Sequence, residues 1–175
     1  MANTSISVNV PEGVQASLEG MVLTVTGPKG KITKDFAHSK LNITLEGVTI
    51  TLKAPSKGKR LSATVGTIAA HIRNMFKGVT QGHSYNMKVI YAHFPITVKV
   101  AGMNVLIENF MGERSKRVAK IVGNVKVSVQ GEELTLEGVD KDEVGQTAAN
   151  IHMAAHVKKM DPRVFQDGVY VSGRA

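Results

Sequence analysis

Gly66-Thr-Ile-Ala-Ala-His-Ile-Arg73 and Gly145-Gln-Thr-Ala-Ala-Asn-Ile-His152 carry Gly, Ala, Ala and Ile at the same four places, 79 positions apart. Self-similarity of this kind marks a repeated unit and takes priority over any local reading. Upstream, Ile50-Thr-Leu52 returns as Leu134-Thr-Leu136 at an offset of 84, so the connection before the second copy is five residues shorter. Earlier still, Met21-Val-Leu23 resembles Asn104-Val-Leu106. The order of parts is the same in both halves. The sequence therefore reads as a duplication with a boundary near Gly82: residues 1–82 form a first repeat, and residues 83–175 a second repeat with a C-terminal tail.

Each half reads as short strands followed by one helix. Ile6, Val8 and Val10 alternate with polar residues, the period of a half-buried strand. Met21 to Thr26 and Lys31 to Phe36 are further strands joined by Gly27-Pro-Lys-Gly30, and Leu41 to Leu45 and Val48 to Leu52 flank the turn Glu46-Gly47. In the second half the strands are Ile96 to Val100, Val105 to Asn109, Val125 to Val129 and Glu133 to Leu136. The repeated stretches have a different period. Leu61, Val65, Ile68, Ile72 and Met75 fall three or four apart and make one apolar helix face, which Gly78 is expected to end as a left-handed cap. Asp140 and Glu143 form a capping-box pair ahead of Val144, Ala148, Ile151 and Ala155. Gly66, Ala69, Ala70, Gly145, Ala148 and Ala149 are small enough to let each helix sit close on its sheet. Strands then a helix, twice over, is an α+β architecture: an internal duplication of a small antiparallel-sheet-plus-one-helix unit.

Composition removes several classes of function. The 175 residues contain no Cys, which excludes disulfides, thiolate metal sites and Cys nucleophiles and fits a reducing cytoplasm. No leading basic stretch runs into an apolar core, so a signal peptide is not expected, and no stretch of about 18 apolar residues is present to span a membrane. Gly27-Pro-Lys-Gly-Lys31 resembles a phosphate loop, but two residues separate its glycines where a Walker A loop has four, and a strand follows where a helix should open. A structural turn is the expected reading. His152 and His156, spaced i, i+4, could hold a metal, yet no third ligand accompanies them; an exposed titratable pair is expected, with no metal and no cofactor. Glu132-Glu133 and Asp142-Glu143 are sequence neighbours that do not face one another and are poor acid/base pairs. No GxSxG elbow occurs. An enzyme is not expected.

The cations carry more information. The chain has 22 Lys+Arg against 14 Asp+Glu, a net charge of +8, which points to a polyanionic partner. Lys53, Lys57, Lys59 and Arg60 fall between a strand and a helix; Arg114, Lys116, Arg117 and Lys120 fill a connection from Gly112 to Gly123; Lys158, Lys159, Arg163 and Arg174 lie toward the C-terminus. Aromatics total eight, and Phe36, Phe76 and Phe94 are expected in the core, leaving no platform for stacked bases. Basic loops without such platforms suit a folded A-form RNA surface met through phosphates and 2′-hydroxyls.

Four runs carry a resemblance: Phe76-Lys-Gly-Val-Thr-Gln-Gly82, Tyr91-Ala-His-Phe-Pro-Ile96, Asn109-Phe-Met-Gly-Glu113 and Arg163-Val-Phe-Gln-Asp-Gly-Val-Tyr170. Together with the duplication they resemble the family of large-subunit ribosomal protein six, in its archaeal and eukaryotic branch, over essentially the whole chain. The resemblance implies a non-catalytic cytoplasmic ribosomal component with two similar α+β domains. It implies binding to large-subunit ribosomal RNA, chiefly through the second domain and its tail, near the stalk base and the translational GTPase centre, beside neighbouring ribosomal proteins and with no membrane partner. The alternative is a non-ribosomal double-stranded RNA-binding module. One departure is Met160, where the family often has a basic residue before the position of Asp161. Within this reading Arg114, Lys116, Arg117, Lys120, Lys158, Lys159, Arg163 and Arg174 are expected to contact RNA phosphates, and Lys57, Lys59 and Arg60 to touch RNA or a protein neighbour. Phe165 and Tyr170 are expected to pack the tail onto the sheet, and Asp167-Gly168 to form a turn. About six phosphate contacts would lower affinity about a thousandfold between about 50 and 200 mM salt. Replacing Arg114, Lys116 and Arg117 by Ala is expected to flatten that dependence with folding intact.

Overall fold

The computed structural model describes residues 5–56, 58–158, 160–161 and 163–174. The chain separates into two compact units, residues 1–82 and 83–175. In the first, β1 (Ser5–Asn9), β6 (Thr49–Lys53) and β5 (Asn42–Glu46) form one antiparallel sheet in that order, and β2 (Gln15–Glu19), β3 (Val22–Gly27) and β4 (Gly30–Asp35) form another. The helix α1 (Lys59–Thr80) packs against β1, β3, β4 and β6. The strands alternate inward Val or Ile with outward Thr, Ser or Lys, so each buries one face: Val8, Leu23, Val25, Ile50 and Leu52 meet Val65, Ile68, Ile72 and Met75 of the helix in the core. Burying each such side chain is worth about 1.5–3 kcal/mol.

The second unit repeats this plan with one addition. The strands β8 (Thr97–Ala101), β9 (Asn104–Glu108) and β10 (Arg117–Lys120) form a three-stranded sheet. β11 (Lys126–Gln130), β12 (Glu133–Gly138), β7 (His83–Ile90) and β13 (Gly168–Arg174) form a four-stranded one in that order. All pairs are antiparallel, and α2 (Lys141–Ala154) lies against β7, β10, β12 and β13. β12 answers β6 at the expected offset, with Leu134 and Leu136 buried like Ile50 and Leu52. β9 answers β3 differently from the sequence reading. Gly20 and Gly102, both with φ near +60°, close the same hairpin, so Leu23 corresponds to Val105 and not to Leu106. A slip of one residue turns every side chain to the other face, and the buried pairs Leu23/Val105 and Val25/Ile107 fix the register.

Two helix details also differ. Gly78 is buried inside α1; the chain leaves the helix at Gly82 (φ +79°), whose N–H donates to the Lys77 carbonyl at 3.1 Å. A Cβ on Gly66 would meet nothing within 4 Å, and one on Gly145 only the Tyr85 hydroxyl at 3.9 Å, so close packing rests on the buried Ala69 and Ala148 and not on the glycines. The Asp140 carboxylate caps α2 by accepting from Asp142 N–H at 2.9 Å, while Glu143 also accepts from Asn124 N–H at 3.2 Å and ties the helix start to the β10–β11 turn.

The Gly27 turn is structural. It connects β3 to β4, and a Cβ on Gly27 would lie 2.8 Å from the Val79 side chain, so only Gly lets the turn sit on α1. Lys29 completes the contact: its N–H donates to the Val79 carbonyl at 2.9 Å and its ammonium to the Gln81 carbonyl. A cation at a helix C-terminus also complements the helix dipole.

Candidate nucleic-acid interface

The segment between Gly112 and Gly123 is not the flexible connection its glycines and charges imply, because β10 occupies its middle and pairs with β9. Its entrance is a tight turn with Asn109, Met111 and Gly112 all at positive φ. Phe110 is fully buried beneath it. Met111 at φ +53° is a strained position for an unbranched apolar residue, in a turn closed by hydrogen bonds from Gly112 N–H to the Asn109 carbonyl at 3.3 Å and from Glu113 N–H to the Phe110 carbonyl at 3.0 Å.

Arg117 is the keystone of this turn. Its Nε and Nη2 donate to the two oxygens of Glu113 at 2.8 and 2.6 Å, and its Nη1 donates to the carbonyls of Ala154 and His156 at 3.0 and 2.9 Å. Its guanidinium carbon lies 4.1 Å from the centre of the Phe110 ring. The side chain is 20% exposed. The hydrogen bonds from Arg117 hold the Glu113 carboxyl below its ordinary range, helped by the charges of Arg117 and Lys158. Such a fork answers the open carbonyls at the end of α2, a task Lys cannot perform. Arg117, expected at a phosphate, is thus bound within its own unit. Replacing it together with Arg114 and Lys116 is therefore expected to destabilise the second unit as well as to remove charge.

The other cations divide in two. Lys116 shares Glu108 with Lys99, each ammonium 2.7 Å from one carboxylate oxygen, and the hydrogen bonds from Lys116 and then Lys99 bring the Glu108 carboxyl down to about 2. The Arg174 guanidinium leans over the Tyr85 ring at 5.4 Å. In contrast Arg114, Lys120 and Arg163 are exposed and their side chains have no ion pair among the described residues; Lys158 is exposed near Glu113. In the first unit, Lys59 and Arg60 open α1, where Gly58 supplies no side-chain cap and the first turn has no acid. Cations there oppose the helix dipole, so the sequence places them at some cost to stability. Lys57 and Lys159 lie outside the described residues.

The tail is anchored by a residue that the sequence reading took for a turn. Asp167 is 2% exposed. Its Oδ1 accepts from Ala92 N–H at 2.7 Å and His93 N–H at 3.2 Å, and its Oδ2 accepts from His93 Nδ1 at 2.7 Å. Burial pushes this carboxyl up; the hydrogen bonds from Ala92 and His93 outweigh it and hold the group below its usual 3.8. Stability from the clamp is therefore complete above pH 3.8 and lost as pH falls through the lower folded value. Asp167→Ala is expected to cost about 2–3 kcal/mol at pH 7 and to shrink the loss of melting temperature between about pH 4 and 2; an unchanged acid limb would show that the clamp does not couple to folding.

Aromatic placement differs as well. Phe36 and Phe76 are buried, but Phe94 is 45% exposed. Phe165 stacks on His93, ring centres 4.6 Å apart and planes at 24°, and Tyr170 Oη donates to the Gln166 carbonyl at 3.3 Å. His152 is not a free partner of His156: its Nδ1 donates to the Val169 carbonyl at 2.8 Å and fastens β13 to α2. Among the described residues no group of three metal-binding side chains occurs, and no helix is long and apolar enough to cross a membrane.

Comparison with known proteins accounts for this arrangement. The profile of the family Ribosomal protein L6 matches residues 10–82 and again residues 94–168, once in each unit. The "Large ribosomal subunit protein uL6" of Methanocella arvoryzae is 47% identical over 169 residues, covering 96% of both chains. That of Desulfurococcus amylolyticus is 51% identical over 167 residues, covering 94% of this chain and 91% of its own. That of Methanosarcina mazei is 43% identical over 169 residues, covering 97% and 96%. With the duplicated α+β fold, a match in each half and relatives aligned almost end to end, the chain belongs to the ribosomal protein L6 family.

Proposed function

We infer that the chain is a structural constituent of the large ribosomal subunit in the cytoplasm and binds large-subunit ribosomal RNA. The observation that carries this is the near-complete alignment with uL6 proteins, 96% of both chains in one case. We assign the RNA surface to the second unit and place it near the stalk base and the translational GTPase centre. Support for the second unit comes from the exposed Arg114, Lys120, Lys158 and Arg163, cations facing outward with no ion pair among the described residues. Such cations fit a phosphate backbone, which is contacted by charge and shape. The role is architectural and not catalytic: the two motifs that resemble reactive sites already serve the fold, Lys29 on the end of α1 and His152 on β13.

The test is sedimentation of purified chain with large ribosomal subunits through a high-salt gradient. The chain is expected to travel with the subunit. If it stays at the top yet binds free double-stranded RNA, the non-ribosomal module becomes the better account.

A further inference from the structure

We propose that the strap of residues 91–95 is a stacking platform for one unpaired RNA base, with Phe94 as the ring that receives it. The inference rests on the RNA-binding reading above and adds a contact of a different kind from its phosphate pairs.

Phe94 is a large apolar side chain left 45% exposed on a chain with few aromatics, and Tyr91 beside it is 39% exposed. Exposure alone means little. What distinguishes Phe94 is how firmly its segment is held. Before it, the N–H groups of Ala92 and His93 are fixed on the buried Asp167. After it, the Pro95 carbonyl accepts from Asn109 Nδ2 at 3.0 Å. The ring itself rests against the Gly112 backbone, where a Cβ would lie 3.3 Å from Phe94 Cε1 and Cζ. His93 is stacked on Phe165 from the tail. A ring pinned on one side and open on the other has little conformational freedom to lose when a flat partner arrives.

The surroundings select an anionic partner. Arg114 follows Gly112 by two residues, and Arg163 precedes Phe165 by two, so exposed cations flank the platform along the chain on both supporting segments. The acids of these segments are engaged: Asp167 with His93, Glu113 with Arg117, Asp161 through Oδ1 with the Arg163 N–H at 2.9 Å, and Glu132, whose carboxylate accepts from Tyr91 Oη at 3.0 Å. An exposed aromatic between exposed cations is the arrangement by which a flipped or bulged base stacks while its phosphates are neutralised.

The test measures binding of the full chain to in vitro transcribed large-subunit ribosomal RNA across a salt series, with Phe94→Leu and Phe94→Tyr. Stacking on an uncharged ring releases no counterions. Phe94→Leu is therefore expected to weaken binding about tenfold at every salt concentration with the slope unchanged, and Phe94→Tyr to stay within about twofold of the parent. Chemical probing of the same complexes should show at least one unpaired base protected by the parent and by Phe94→Tyr and exposed again with Phe94→Leu. Thermal melting of both variants checks the fold. Equal affinity and equal protection for Phe94→Leu would overturn the platform while leaving the phosphate reading intact. A parent chain that does not bind the RNA would overturn the RNA-binding reading and the platform with it.

Discussion

Arg117→Ala is expected to destabilise the second unit by about 3 kcal/mol and to lower its melting temperature by roughly 12–24 °C. Four hydrogen bonds and a ring contact disappear together: the fork on Glu113, the caps on the Ala154 and His156 carbonyls, and the cover over Phe110. The loss stays near 3 kcal/mol because Glu113 is 38% exposed and water can reach it. Arg117→Lys keeps the charge but cannot span both acceptors, so it should recover less than half of the loss. A melting temperature unchanged by Arg117→Ala, together with weakened RNA binding, would return Arg117 to the interface.

Affinity for large-subunit ribosomal RNA is expected to fall roughly a hundredfold between about 50 and 200 mM salt. The thousandfold figure follows from about six phosphate contacts. Of the cations expected at phosphates, the structure leaves Arg114, Lys120, Lys158 and Arg163 exposed with no ion pair among the described residues, and holds Arg117 and Arg174 on neighbours of their own. Each phosphate contact contributes about 0.9 to the slope of log affinity against log salt, so Arg114→Ala and Arg163→Ala should each flatten it by about that much. Lys116→Ala should do less, since it also frees an oxygen of Glu108. A drop nearer a thousandfold would bring in Lys116 or the first unit's Lys59 and Arg60. A flat response would remove the electrostatic account altogether.

Elements with a strong period were readable from the sequence. Val65, Ile68, Ile72 and Met75 set α1, and Ile50 and Leu52 with Leu134 and Leu136 set the repeated central strands. The strands that escaped give a weaker apolar signal. β2 alternates, but only Ala16 and Leu18, neither fully buried, mark its inner face; β7 opens on His83-Ser-Tyr-Asn86 before Met87 and Val89 turn inward; and β10 hides one buried alanine between Arg117 and Lys120. β13 starts at Gly168 and shifts register between Val171 and Gly173. The site was harder still. Asp167 and His93 meet across 74 positions, and no local spacing announces such a pair. Glu113 and Arg117 stand four apart, the spacing of a helix pair, but here a turn and a strand bring them together. Counting charges locates basic segments; it does not tell which guanidinium is already held by a carboxylate.

The place of β13 bears on how the chain is made. β7 leaves a translating ribosome well before β13, although the two strands are neighbours in the finished sheet. Once β12 has followed, β7 has it on one side and still an open margin on the other, the kind of margin at which growing chains adhere to one another. Lys88, exposed in mid-strand, is a charged deterrent to such adhesion. When β13 arrives, His152 fastens it from the helix side, and the late strand closes a margin that was exposed throughout elongation.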